Sequence, residues 1–205
     1  MIAIEGIDGS GKSTLVRALA RRLRRRGWSV ARRHEPADPS LGVLAQRAGV
    51  LDPWTAGVYF TIDRFAARRA LARDLARHDV VIADRSFYST LAYQGSALPP
   101  RDRHRLERLQ RLATVPPDRV VLLDLEPADA LRRVGGRAGR RGPLERRRRL
   151  ERARREYRRL ASRGRWIVLD ARASPSDLAR TLTERLVPGL PPPSGPRRPG
   201  ARRRS

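Results

Sequence analysis

Short apolar runs punctuate the chain, and between them apolar residues recur every three or four positions. The runs are Met1–Ile4, Trp28–Ala31 leading to His34-Glu35-Pro36, Asp79–Asp84, Val120–Asp124 and Trp166–Asp170. Asp79–Asp84 is continuously apolar between its two carboxylates, the pattern of a strand buried on both faces of a parallel sheet. Leu15, Val16, Leu19 and Leu23 predict a helix that stops at Gly27. Leu41–Val50 predicts a short helix, and Pro53–His78 a long one with Val58, Ile62, Phe65, Ala66 and Leu75 on its buried face. A loop running into a helix is expected over Ser86–Gly95. Helices are also expected over Arg101–Ala113 (Leu106, Leu109, Leu112) and Ala128–Val134, and over Leu144–Ser162 with the stripe Leu150, Ala153, Tyr157, Leu160 and Ala161. Ser174-Pro175 starts a last helix to about Leu186. Strict strand–helix alternation predicts an α/β, three-layer domain over residues 1–187, a central parallel five-stranded sheet with helices on both faces. From Pro188 the composition turns to proline, glycine and arginine, so residues 188–205 are expected to be a disordered tail.

The first run leads directly into Gly6-Ile7-Asp8-Gly9-Ser10-Gly11-Lys12-Ser13-Thr14, which fits G-x-x-x-x-G-K-[ST]. Glycines let the backbone aim successive N–H groups into one concavity, and the helix behind adds positive character to it. The stretch is a candidate triphosphate cradle, with Lys12 reaching the β- and γ-phosphates and the Ser13 hydroxyl offered to Mg²⁺. Among 46 lysines and arginines, Lys12 is the single lysine. A compact ammonium on a flexible stem suits a phosphate cradle where a planar guanidinium does not.

Charge leaves two readings. The net charge is +25, which suits either an affinity for polyanions such as nucleic acid, expected to be non-specific, or a biased composition spread over solvated helix faces. The arginines are scattered over helix faces rather than gathered in a nucleic-acid motif, and only five lie in the tail. Without cysteine there is no disulfide, zinc thiolate or thiol nucleophile. No apolar run approaches the ~18 residues of a membrane span, and the N-terminus reads as a strand rather than a signal segment. The expectation is a cytoplasmic protein with no membrane partner.

A P-loop alone says triphosphate and little more. Five further features specify it. Glu5-Gly6-Ile7-Asp8-Gly9-Ser10-Gly11-Lys12-Ser13 matches E-G-x-D-G-x-G-K-S/T, Glu35-Pro36 follows the second strand, and Phe60 precedes Asp63-Arg64 on the long helix. Asp84-Arg85 opens the segment that runs through Tyr88, Ser89, Thr90, Tyr93 and Gln94 to Gly95. Pro117-Asp118 and Asp124 bracket the fourth strand. In this order over about residues 1–187, the chain resembles the thymidylate kinases, P-loop nucleoside monophosphate kinases.

The resemblance implies ATP-dependent phosphorylation of dTMP to dTDP with Mg²⁺, in a homodimer. It implies ATP contacts from Gly6 through Thr14 (Gly6, Ile7, Asp8, Gly9, Ser10, Gly11, Lys12, Ser13, Thr14), with Ser13 and Asp84 on the metal. For the acceptor it implies Phe60 stacking on the base and Arg64 at its edge. Ser89 or Thr90 would make polar base contacts, with Glu35 and Gln94 nearby. Tyr93 would lie under the sugar, Asp8 would take the 3′-hydroxyl and Arg85 the phosphate. The P-loop interior has Ser10 where some members carry an arginine, so the chain looks like the type whose catalytic arginine comes from a lid, here Gly135–Pro143. Arg137 is the first candidate, with Arg140 and Arg141 also available. Catalysis would then rest on Lys12, Arg85, Arg137 and Asp8.

The chain also departs from the pattern. Ala37-Asp38-Pro39-Ser40 stands in place of paired glycines, His34 stands where arginine is common, Ser86 replaces a common tyrosine, and Arg149 occupies a usually aromatic position. Two rival readings follow: a related P-loop kinase with another nucleotide or small-molecule acceptor, and a basic P-loop protein that binds nucleic acid or a partner with little turnover.

Overall fold

The computed structural model describes residues 1–135 and 143–194. The elements run β1 (Ile2–Glu5), α1 (Lys12–Arg25), β2 (Val30–His34), α2 (Pro39–Leu51), α3 (Pro53–Arg77), β3 (Val80–Asp84) and α4 (Phe87–Tyr93). Then come a 3-10 turn (Gly95–Ala97), α5 (Pro100–Ala113), β4 (Arg119–Asp124), α6 (Pro127–Val134), α7 (Pro143–Arg163), β5 (Ile167–Asp170) and α8 (Pro175–Leu186). The strands form a five-stranded sheet in the order β2-β3-β1-β4-β5, every pair parallel.

Helices cover both faces of this sheet because its central strands are apolar on both sides. Val80 and Ile82 of β3 join Leu15, Leu19 and Leu23 of α1 and Leu182 of α8 in the main core. Val81, between them, packs with Ala31 of β2 and Leu71 of α3. Successive side chains of a strand point to opposite faces, so β3 is sandwiched. The predicted three-layer α/β architecture is the one observed.

The topology places the site. The chain leaves β1 for the β2 edge and leaves the adjacent β3 for the β4 edge. Such a reversal opens a crevice at the C-terminal ends of the strands. Register brings Ile4, His34 and Asp84 level. The loops after β1, β2 and β3 therefore emerge together, carrying Asp8, Glu35 and Arg85.

Two expectations change. Ile62 and Phe65 of α3 are 46 % and 49 % exposed, while Ala56, Gly57, Thr61, Asp63, Arg64 and Leu71 are buried. The inward face of α3 mixes small and apolar residues with Thr61, Asp63 and Arg64, whose polar groups are hydrogen-bonded, so apolar periodicity selected the outer face. Asp63 accepts hydrogen bonds from the Ala37 and Asp38 N–H groups and fixes the loop after β2. In α5 Leu106 is buried, as expected, whereas Leu112 is 66 % exposed.

Part of the expected tail makes contacts. A 3-10 turn spans Val187–Gly189, and the Trp28 indole donates to the Pro191 carbonyl at 2.8 Å. Residues 195–205 lie outside the described residues. No helix among the described residues is long and apolar enough to cross a membrane.

Candidate active site

The loop between β1 and α1 has the backbone its glycines allow. Gly9 has φ +86°, and a Cβ there would stand 2.6 Å from the Ala130 carbonyl oxygen. Gly11, the N-cap of α1, has φ +92° with open space around it, so its conformation alone calls for glycine. Lys12 begins the helix and is buried. Its ammonium donates to the Gly6 and Ile7 carbonyls at 3.0 and 2.9 Å. Burial, then the charge of Arg85, lowers its pKa to about 7, against the opposing pull of Asp8, Asp84 and Glu5.

Asp84 ends β3 opposite this loop. Burial alone would raise its pKa, but hydrogen bonds from His34 and Ser13 and the Lys12 charge together hold it below the usual carboxylate range. Its Oδ1 is buried and has no hydrogen-bond partner among the described residues. A buried orphan carboxylate oxygen beside the Ser13 hydroxyl fits a hard divalent cation that takes the rest of its shell from phosphates and water.

The next residue turns the chain sharply. Arg85 has φ +76°, the left-handed region that a non-glycine residue rarely adopts. Hydrogen bonds hold the turn on both sides: Arg85 N–H donates to the Ile4 carbonyl at 3.1 Å and Ser86 N–H to Glu5 Oε1 at 2.7 Å. The guanidinium then lies against Asp8 and donates to Ser89 Oγ at 3.1 Å. Burial pushes the Asp8 carboxyl up, but Arg85, Lys12 and Arg149 outweigh it and hold it below its ordinary value. Asp8 N–H donates to the Tyr93 hydroxyl at 2.8 Å, which fixes that ring beside the loop.

Beneath these groups lies Glu5, fully buried. Its carboxylate accepts from the Ser86 and Ser89 hydroxyls at 2.6 and 2.7 Å and from Tyr157 of α7 at 3.0 Å. Burial raises its pKa, only partly offset by Ser86, Ser89, Arg85 and Tyr157. Ser86, the residue that replaces a common tyrosine, supplies two of these hydrogen bonds, one from its backbone and one from its side chain.

These elements enclose a cavity of about 760 Å³ that runs from Asp8 and Arg85 to Phe60 and Arg64. Glu35, Ser89, Thr90, Tyr93 and Gln94 also line it, so the structure brings together every residue expected on the acceptor side. Arg64 lines the same cavity and is also held by the protein. It is 5 % exposed and donates to Glu35, Gln110, Thr90 and the Phe60 and Ser86 carbonyls. A guanidinium has five N–H donors, so contact with a base edge requires one of these partners to yield.

Arg137, Arg140 and Arg141 lie outside the described residues. Gln110, Tyr157 and Arg149 are the site residues that sequence reasoning did not place. Gln110 follows Leu106 by one helical turn on the buried side of α5, and a polar residue in that row was the available signal. Tyr157 had the spacing of a core residue, and it is one, with its hydroxyl turned to Glu5 and Ser89. Arg149 stood out only as a charge in an aromatic's place; its guanidinium lies over the Tyr93 ring, 4.8 Å from the centroid.

The thymidylate kinase family profile matches residues 4–182. The chain is 38 % identical over 150 residues to a probable thymidylate kinase of Thermococcus onnurineus, covering 67 % of this chain and 72 % of that protein. It is 38 % identical over 195 residues to the thymidylate kinase of Xanthomonas euvesicatoria, covering 93 % and 84 %. With that of Solidesulfovibrio magneticus it shares 34 % over 200 residues, covering 88 % and 95 %. A P-loop with its own aspartate, an arginine held at the strand end beside it and a nucleotide-sized cavity between them agree with these matches, and the chain belongs to the thymidylate kinase family.

Proposed function

We propose that the protein transfers the γ-phosphoryl group of ATP to dTMP, producing dTDP and ADP, as a cytoplasmic homodimer. The observation that carries this reading is the position of Asp8. It belongs to the donor loop by sequence and lines the acceptor cavity beside Arg85 and Tyr93.

Roles follow from phosphoryl-transfer chemistry. The attacking atom is a phosphate oxygen of dTMP, already ionised, so no general base is needed. The bond from Pγ to the β–γ bridging oxygen breaks as the new P–O bond forms. Catalysis is then alignment and charge stabilisation. Lys12 and the N–H groups of Gly9, Gly11 and Ser13 hold the donor phosphates. Ser13 and Asp84 would hold Mg²⁺, which would supply positive charge against the donor phosphates. Arg85 leaves Asp8 for the acceptor phosphate, and Asp8 takes the 3′-hydroxyl. Phe60 covers the base face, Thr90 and Gln94 offer polar contacts at its edge, and Tyr93 closes the space where a 2′-hydroxyl would stand. Arg137, or Arg140 or Arg141, meets the charge that develops on the transferred group.

The deciding experiment is ADP release measured over a panel of nucleoside monophosphates, with dTMP expected to give the largest kcat/KM. Full activity on another acceptor with none on dTMP would replace this reading with a related kinase.

A further inference from the structure

Helix α7 directs Arg146, Arg149 and Arg152, one helical turn apart, toward the cavity that holds Asp8, Arg85 and Tyr93. The middle one carries the most information. Its guanidinium lies 4.8 Å from the Tyr93 ring centroid, and that of Arg85 lies 5.6 Å from the same centroid. Two guanidiniums thus converge on one ring, and the charges of both act on the Asp8 carboxylate. Two cations gathered around one carboxylate leave the site with an excess of positive charge, which an anion would neutralise.

The helix that presents Arg149 is held in place. Tyr157, two turns further along, bonds to Glu5 and lies 2.8 Å from Ser89 Oγ. Arg149 therefore sets its guanidinium over Tyr93 from a fixed backbone and lines the cavity there. An aromatic residue at this position would stack on Tyr93 in the same way; arginine keeps the stack and adds a charge.

A monophosphate ester has three terminal oxygens, and one planar fork engages two of them. We infer that Arg149 is a second ligand of the acceptor's phosphate, taking an oxygen that Arg85 leaves. This assignment rests on the acceptor being a nucleoside monophosphate, as proposed above.

The test compares dTMP with thymidine, which lacks the phosphate, in binding measured with the donor loop saturated by ADP. Arg149→Phe retains the stack and removes the charge. It is expected to weaken dTMP about tenfold or more while leaving thymidine unchanged, and to raise KM for dTMP more than it lowers kcat. Arg149→Lys is expected to recover part of the loss. An unchanged dTMP affinity, or equal losses for dTMP and thymidine, would overturn the assignment, the second by showing a packing role. The wild-type acceptor panel reads the function separately. If another monophosphate proves to be the acceptor, the same ratio is measured with that nucleotide and its nucleoside.

Discussion

Arg85, at the end of β3, holds the carboxylate of Asp8, in the loop that follows β1. The pair spans the crevice between two adjacent strands, so it joins donor and acceptor sides of the site. An acceptor phosphate and the Asp8 carboxylate are both anions suited to the same fork. Exchange of one for the other would free Asp8 for the sugar in the step that seats the phosphate. The left-handed backbone at Arg85 aims the side chain into this position.

The planar fork makes arginine hard to replace here. Arg85→Lys retains the charge but supplies a point donor without bidentate geometry. Its kcat/KM for dTMP is expected to fall about a hundredfold, with KM for ATP little changed. Steady-state kinetics with each substrate varied in turn checks this, and a parallel loss on the ATP side would place Arg85 with the donor instead.

Lys12 gives a pH-dependent signal. With its pKa lowered to about 7, most of it is neutral at pH 8 and most is charged at pH 6. Phosphates beside it favour the charged form and raise the pKa. ADP binding is therefore expected to take up protons at pH 8, approaching one per site, and fewer at pH 6. Calorimetry in buffers of different ionisation enthalpy measures this uptake. Lys12→Ala should abolish the difference and lower turnover about 10²–10³-fold, with the circular dichroism of the fold retained.

Glu5 acts on the site from below. It fixes Ser86 and Ser89, and through them the turn and the guanidinium of Arg85. Glu5→Gln replaces one acceptor oxygen with an amide that opposes donors, at a cost of about 1–3 kcal/mol. The raised pKa of Glu5 sets a pH signature as well. Between the unfolded and folded pKa values the native state binds more protons than the unfolded state, so this group's contribution is fully present below the unfolded value of 4.5 and is lost as pH rises through the folded pKa. The stability of the wild type relative to Glu5→Gln, from urea unfolding, is expected to decline from pH 4.5 to pH 7.5. A difference that grows with pH would mean that the carboxylate is stabilised as an anion.

Much of this was legible in the sequence because local rules and topology agree. Continuous apolar runs marked the strands, and the glycine pattern marked the donor loop with the helix behind it. The acceptor cavity was legible only through family resemblance, since no spacing rule brings Phe60 of α3 and Tyr93 of α4 together. Arg64 shows the limit best. Its motif position suggests a reader of the base, but its five protein partners, among them Gln110 from α5, a helix that no motif links to it, were not legible. Hydrophobic periodicity misread α3 for a related reason. A helix whose inner face mixes small residues with hydrogen-bonded polar ones carries its larger apolar residues outside.

Those outer residues give α3 an apolar face. Ile62 and Phe65 lie one turn apart on α3, each about half exposed. An apolar pair of this kind on a long helix suits a two-fold interface, where every residue counts twice. Covering the remaining surface of each side chain contributes roughly 1 kcal/mol, and four such side chains meet in a dimer. Ile62→Glu with Phe65→Glu places four like charges in the same contact and is expected to convert a dimer to a monomer in sedimentation equilibrium. Neither residue lines the cavity, so the separated protomers should still bind dTMP. A wild type that sediments as a monomer at micromolar concentration would refute the homodimer and leave this face to solvent.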